Sequence, residues 1–107
     1  MPKPGEFWLA DIPFTSGPGS KLRPVLVLWM DAADVVVAAV TSAPPRSKTD
    51  VALHDWAAAG LRVASTVRLS RLDALEQVRL RRRLGVVARL DAGQVKSVWA
   101  SEIRLRF

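Results

Sequence analysis

Arg23 and Thr41 are the two residues whose types and placement suggest chemistry. Each stands at the end of an apolar run of strand length: Arg23 opens the run through Met30, and Thr41 all but closes the run Asp34–Ser42. Asp31-Ala32-Ala33 separates the two. Both runs are rich in β-branched residues and too short for a buried helix, so the pattern predicts a hairpin. A hairpin folds its two outer ends back to the same edge of a sheet. A fixed cation and a hydroxyl, 18 positions apart in the chain, then become neighbours in space.

The stretch that leads into Arg23 fits that pair. Phe14-Thr15-Ser16-Gly17-Pro18-Gly19-Ser20-Lys21 is small, polar and turn-permissive, and is expected as a mobile surface loop. Such a loop beside a strand-borne arginine could cover a bound phosphate chain. An ordinary connection between strands explains the same residues, and by themselves they favour that simpler reading.

Composition narrows the partners. The chain has 107 residues, enough for one domain, taken as 1–107, with one modest core. It contains no cysteine and one histidine, His54, which excludes disulfides, thiolate metal sites and a histidine-built cluster within one chain. The net charge of +6 is uneven. Residues 1–60 hold five Lys/Arg and six Asp/Glu, whereas residues 61–107 hold eleven and four. The excess is almost all arginine, whose planar fork suits phosphates and bases, so a polyanion such as nucleic acid is one reading. A solvated surface from an arginine-preferring genome is the other. No charged-then-apolar leader stands at the N-terminus, because Glu6 and Asp11 interrupt it, and no apolar run approaches the roughly 18 residues that span a bilayer. A cytoplasmic protein without a membrane partner is the expectation.

The remaining elements must position the pair. Glu6–Ile12 reads as a first strand stopped by Pro13. Ala43–Thr49 reads as a second loop, and Asp50–Leu53 as a short strand. Asp55 is expected to cap a brief helical turn, Trp56–Ala59, closed by Gly60. Thr66–Leu72 alternates apolar and polar residues, the period of a half-buried strand, with Arg68 and Ser70 on the outward face. Arg79–Leu84 is a dense basic cluster, read equally as a solvated turn face or an RNA contact. Leu84–Val87 is expected as a last strand. Asp91 is expected to cap a helix through about Ile103, with Val95, Val98, Trp99 and Ile103 on one face as core or a dimer seam. His54 reads as structural. The four tryptophans, at 8, 29, 56 and 99, are expected to fill much of the core, with Trp29 partly exposed at an interface. The fold class is mainly β with a terminal helix: a small, strongly bent antiparallel sheet or partial barrel with the helix packed on it.

Pro4–Asp11, the Ser/Gly loop, Arg23–Leu28 and Ala39–Ser42, followed by Ser65–Leu69 and Arg82–Gly85, resemble in order and spacing the PemK/MazF toxins of type II toxin–antitoxin systems. The resemblance implies a compact SH3-like barrel, a homodimer and a sequence-specific, metal-independent endoribonuclease of single-stranded RNA that uses no cofactor. It implies a cognate antitoxin whose extended tail lies over the RNA groove. It places the central catalytic pair on Arg23 and Thr41 and a further functional arginine on Arg68. Candidates for contact with RNA are Thr15, Ser16, Ser20 and Lys21 in and after the first loop, Ser42 and Arg46 after the second run, and Ser70 and Arg71 on the later strand.

The residue types suit such a cleavage. The RNA's own 2′-hydroxyl attacks the adjacent phosphate, and charge grows on the phosphorane oxygens. A rigid guanidinium offers two charge-assisted hydrogen bonds there, and a threonine hydroxyl can hold an oxygen or orient the attacking group. Arginine, with a pKa above about 12, is a poor general acid, so Arg23 is assigned mainly charge stabilisation. Departures from the family pattern fall where a base is expected. Leu22 stands where many relatives have arginine or histidine, the first loop lacks Glu and His, and Ser70 stands where many have aspartate. Lys21 and Arg71 are the cations left to compensate. These departures motivate the alternative of a non-catalytic RNA-binding or gyrase-directed, CcdB-like toxin on the same scaffold. A purely structural small barrel is a weaker third reading.

Overall fold

The two apolar runs pair as the sequence suggests. In the computed structural model, which describes residues 1–107, they form β2 (Ser20–Asp31) and β3 (Asp34–Thr41), in the register Val25↔Ala39, Leu26↔Ala38, Val27↔Val37. Only Ala32 and Ala33 remain for the turn. A tight hairpin of this kind needs a positive φ at its tip, and Ala32 adopts one, at φ 55. An L-residue there costs about 1 kcal/mol, which the flanking ladder must offset.

The other strands are β1 (Glu6–Pro13), β4 (Asp50–Ala52), β5 (Thr66–Glu76) and β6 (Leu80–Val86), and one helix, α1 (Arg89–Glu102), ends the fold. Every pairing is antiparallel, in the order β4-β5-β3-β2-β1-β6. No helix is long and apolar enough to cross a membrane.

Both faces of the central hairpin are covered, which is why β2 and β3 read as unbroken apolar runs rather than alternating ones. Phe7, Leu26, Ala38, Val40, Val67 and Leu69 form one buried cluster, against which Val95, Val98 and Trp99 of α1 and Ile103 just after it pack. Val25, Val27, Val35 and Val37 join Ala10, Leu75 and Leu80 in a second. Each fully buried Val or Leu contributes roughly 1.5–3 kcal/mol. Leu75 and Leu80 come from β5 and β6, which three strands separate in the sheet order, so the sheet is rolled. It is not closed, because β4 and β6 do not pair, and "barrel" describes it only loosely.

A turn bridges the gap instead. Residues 56–60 lie against the end of β6 so closely that a Cβ on Gly60 would overlap the Leu84 carbonyl, and one on Gly85 would overlap that of Ala59. Gly60 also holds φ 90. Two glycines therefore let two backbones meet where side chains would keep them apart.

Several expectations are corrected. The brief helical turn forms, with Ala59 N–H donating to the Asp55 carbonyl four residues back at 3.1 Å and Gly60 closing it at φ 90, but the Asp55 side chain makes no capping bond. Asp91 does not cap α1, whose N-cap is Ala88. It sits inside the first turn with its side chain buried, and its two carboxylate oxygens accept the N–H groups of His54 and Asp55 at 2.9 and 2.8 Å. It thus pins the bridging turn to the helix, where a negative group also suits the helix dipole. The last strand begins at Leu80, not Leu84, and takes in the basic run. Ser20 and Lys21 belong to β2 rather than to a loop, pairing with Pro13 and Ile12. No tryptophan is among the buried core residues; Trp29 is exposed and meets Trp99 edge to face at 5.8 Å.

Candidate active site

Strand register brings the two end residues together. Val25 pairs with Ala39, and the same register carried two places further sets Arg23 opposite Thr41. On the far side of β3, Thr41 pairs with Thr66 and Ala39 with Arg68. Alternation sends Arg23 and Val25 of β2, and Val37, Ala39 and Thr41 of β3, to one face. There they line a cleft of about 650 Å³, with Arg68, Arg71, Leu72 and Asp73 of β5 on one side and Ile12 to Thr15 on the other. Val25 and Val37, at its floor, also belong to the second buried cluster, so the floor is rigid.

The wall formed by β5 depends on a register break. Ala38 pairs with Leu72, but the adjacent Ala39 pairs with Arg68, leaving Leu69, Ser70 and Arg71 as extra residues. Leu69 is fully buried and anchors the bulge, whereas Ser70 and Arg71 are exposed. Bulges of this kind re-aim side chains next to functional sites. Here Arg71 and Asp73 reach the cleft and Ser70 does not.

Arg68 is held from behind. Its Nε donates to Asp50 Oδ1 at 3.3 Å, and the Asp50 side chain is 1% exposed. The other oxygen, Oδ2, accepts the Arg46 backbone N–H at 2.9 Å. The buried carboxylate thus fixes the guanidinium through Nε and leaves its two terminal nitrogens for a ligand. Thr41 is arranged comparably. Its Oγ1 accepts the Ala43 N–H at 3.2 Å, so its own hydrogen remains to be donated. Arg23 is exposed and forms no ion pair.

Of the residues singled out from sequence, Arg23, Thr41, Arg68, Thr15, Lys21 and Arg71 line the cleft; Ser16, Ser20, Ser42, Arg46 and Ser70 do not. Ser20 lies beside Asp11. Its hydroxyl and the Arg81 guanidinium hold the Asp11 carboxyl below its usual range. The basic run is a strand edge with much of its charge already answered: Arg81 pairs with Asp11 at 3.3 Å and Arg83 with Glu6 at 2.7 Å. Burial pushes the Glu6 carboxyl up, but Arg83, the Trp8 indole N–H and the Lys3 backbone N–H together bring it down to about 2. His54 is exposed and outside the cleft. No group of three or more His, Cys, Asp or Glu is gathered as a metal site would require. Two carboxylates were missed from sequence, Asp50 and Asp73. Neither carries a local signal, since each acts across strands.

Solved structures of the same fold are numerous. An endoribonuclease in complex with its cognate antitoxin, from a mycobacterial species, superposes with a TM-score of 0.76 at 20% identity, over 100% of this chain and 99% of that one. MazF from Deinococcus radiodurans superposes with a TM-score of 0.68 at 23% identity, over 94% of each chain. The Mycobacterium tuberculosis toxin MazF-mt6 gives 0.66 at 21% identity, over 85% of this chain and 90% of that one. No curated protein matches the sequence. The family model for the PemK-like, MazF-like toxin of type II toxin–antitoxin systems matches residues 3–101, nearly the whole chain, with the Arg23 and Thr41 strands inside the match. The chain belongs to that toxin family.

Proposed function

We propose that this toxin is a metal-independent, sequence-specific endoribonuclease of single-stranded RNA, and that the Arg23–Thr41 cleft is where it cuts. The observation that carries the reading is the register that sets a free guanidinium opposite a free hydroxyl hydrogen, with a second anchored arginine one strand away. The similarity to chains named as endoribonucleases supports it.

The scissile phosphate sits between Arg23 and Thr41. The 2′-hydroxyl gives its proton to water as its oxygen bonds to phosphorus, the bond to the 5′-oxygen breaks as that oxygen takes a proton from water, and the products are a cyclic phosphate and a 5′-hydroxyl. Arg23 answers the charge that grows on the phosphorane oxygens, where a guanidinium gains more in the transition state than in the ground state. Thr41 donates its hydroxyl hydrogen to an oxygen of the same phosphate. The terminal nitrogens of Arg68 hold that phosphate or the next. Thr41 and Arg68 are held before substrate arrives, by the Ala43 N–H and by Asp50, so little reorganisation of those two groups opposes the reaction. No cofactor takes part. The protein acts in the cytoplasm as a homodimer, whose second copy walls the shallow cleft, and an antitoxin segment laid along the cleft excludes RNA.

Incubation with single-stranded RNA in EDTA tests this, with the ends of the products identified. Site-selective cuts with cyclic-phosphate and 5′-hydroxyl ends are expected. Activity lost with the chelator contradicts the metal-independent reading, and toxicity undiminished in Arg23→Ala favours a non-catalytic or gyrase-directed toxin instead.

A further inference from the structure

We propose that Asp73 reads a guanine base next to the scissile phosphate. The inference rests on the ribonuclease reading and adds a substrate preference to it.

Asp73 is the one carboxylate among the residues that line the cleft, where Lys21, Arg23, Arg68 and Arg71 are also present. Despite these cations it forms no ion pair and no side-chain hydrogen bond. The ion pairs of the molecule are Arg68–Asp50, Arg81–Asp11 and Arg83–Glu6. An unpaired carboxylate repels phosphate, so its presence in a phosphate cleft calls for another ligand. Its position names one. Asp73 pairs with Val37, four residues along β3 from Thr41, which is about 13 Å of strand. That is too far for the phosphate held at Arg23 and Thr41, but it suits the base of a nearby nucleotide. Leu72, 43% exposed, and Phe14, 50% exposed, supply apolar surface in the same cleft for the face of a base.

The chemistry of the edge selects the base. A carboxylate only accepts hydrogen bonds, and it accepts two side by side. On the Watson–Crick edge, guanine alone presents two adjacent donors, N1–H and the N2 amino group. Adenine and cytosine set an acceptor beside their amino group, and uracil flanks its single N–H with two carbonyl oxygens. Each of those three turns an acceptor toward the second carboxylate oxygen.

Cut sites mapped on a long single-stranded RNA test the proposal, together with a short substrate in which inosine, which lacks the N2 amino group, replaces guanine. The wild-type cut sites should share a guanine at one fixed offset from the cut. Inosine at that place should slow cleavage about 10-fold, the scale of one lost base contact. Asp73→Asn keeps the size but turns a donor toward guanine. It should slow the guanine substrate roughly 10- to 100-fold and cleave guanine and inosine alike. Its melting temperature should match wild type, because Asp73 has no partner within the chain. Cuts with no fixed guanine, or guanine dependence that survives in Asp73→Asn, overturn the role of Asp73 and leave the ribonuclease standing. RNA that is never cut removes both.

Discussion

Arg68 Nε donates to Asp50 Oδ1 across 3.3 Å, and the Asp50 carboxylate is buried while the arginine reaches the cleft. The arginine is therefore as well placed as the acid behind it. Asp50→Asn removes the charge and leaves Arg68 without its anchor. Stability should fall by about 1–3 kcal/mol, since the buried partner of Arg68 and of the Arg46 N–H is weakened. The RNA cleavage rate should fall with it, by about 10-fold or more. Denaturant titration and single-turnover cleavage read the two effects, and a variant with full rate would remove Asp50 from the account.

The bridging turn gives a second prediction. Gly85→Ala places a Cβ into the Ala59 carbonyl, and Gly60→Ala strains φ 90 as well as overlapping Leu84. Each should cost about 1–3 kcal/mol. For a domain of this size each kcal/mol lowers the melting temperature by about 4–8 °C. Gly17→Ala, where nothing lies within 4 Å of the added carbon, is the control for an alanine at positive φ without a clash. A thermal melt that ranks Gly17→Ala with the other two would contradict the close approach.

Glu6 predicts a pH dependence. Its folded-state pKa is about 2, below the ordinary 4.5. The stabilisation is therefore complete above pH about 4.5 and is lost as the pH falls through about 2. Allowing for the half-exposed Arg83, it amounts to roughly 2 kcal/mol. Glu6→Gln should be less stable than wild type at pH 7 by about that amount, and the difference should shrink to near zero at pH 2. Urea midpoints across that range measure it; a gap that is constant with pH would show that the carboxylate charge does not matter.

The hairpin was legible because both faces of β2 and β3 are buried, which leaves uninterrupted β-branched runs. Once the hairpin was in place, register alone brought Arg23 and Thr41 to one edge. Arg68 was legible from the alternation of β5. What set its direction was not: Asp50 lies 18 positions away in the chain, and the pairing arises only when β4 docks on β5. The bulge at Leu69–Arg71 was hidden for the same reason, since a register break belongs to two strands at once. It removes Ser70 from the cleft and brings in Asp73. The basic run reads from sequence as a turn face or an RNA contact, because arginines do not look like a strand; pairing with β1 and the acids Glu6 and Asp11 make it one. Asp91 looked like a cap because caps are local, whereas its partners lie 37 and 36 positions away. Trp8, Trp56 and Trp99 only pack, partly buried, against the core clusters, whose buried members are valine, leucine, alanine and a single phenylalanine.

The central claim is that Arg23 and Thr41 act on one phosphate. The most direct measurement is a double-mutant cycle of single-turnover RNA cleavage in EDTA, with wild type, Arg23→Ala, Thr41→Val and the double variant. Arg23→Ala should lose about 100- to 1,000-fold. Groups that share one transition state are strongly non-additive, so the double variant should be little slower than Arg23→Ala alone. Losses that simply multiply, or either single variant cutting at the wild-type rate, would contradict it.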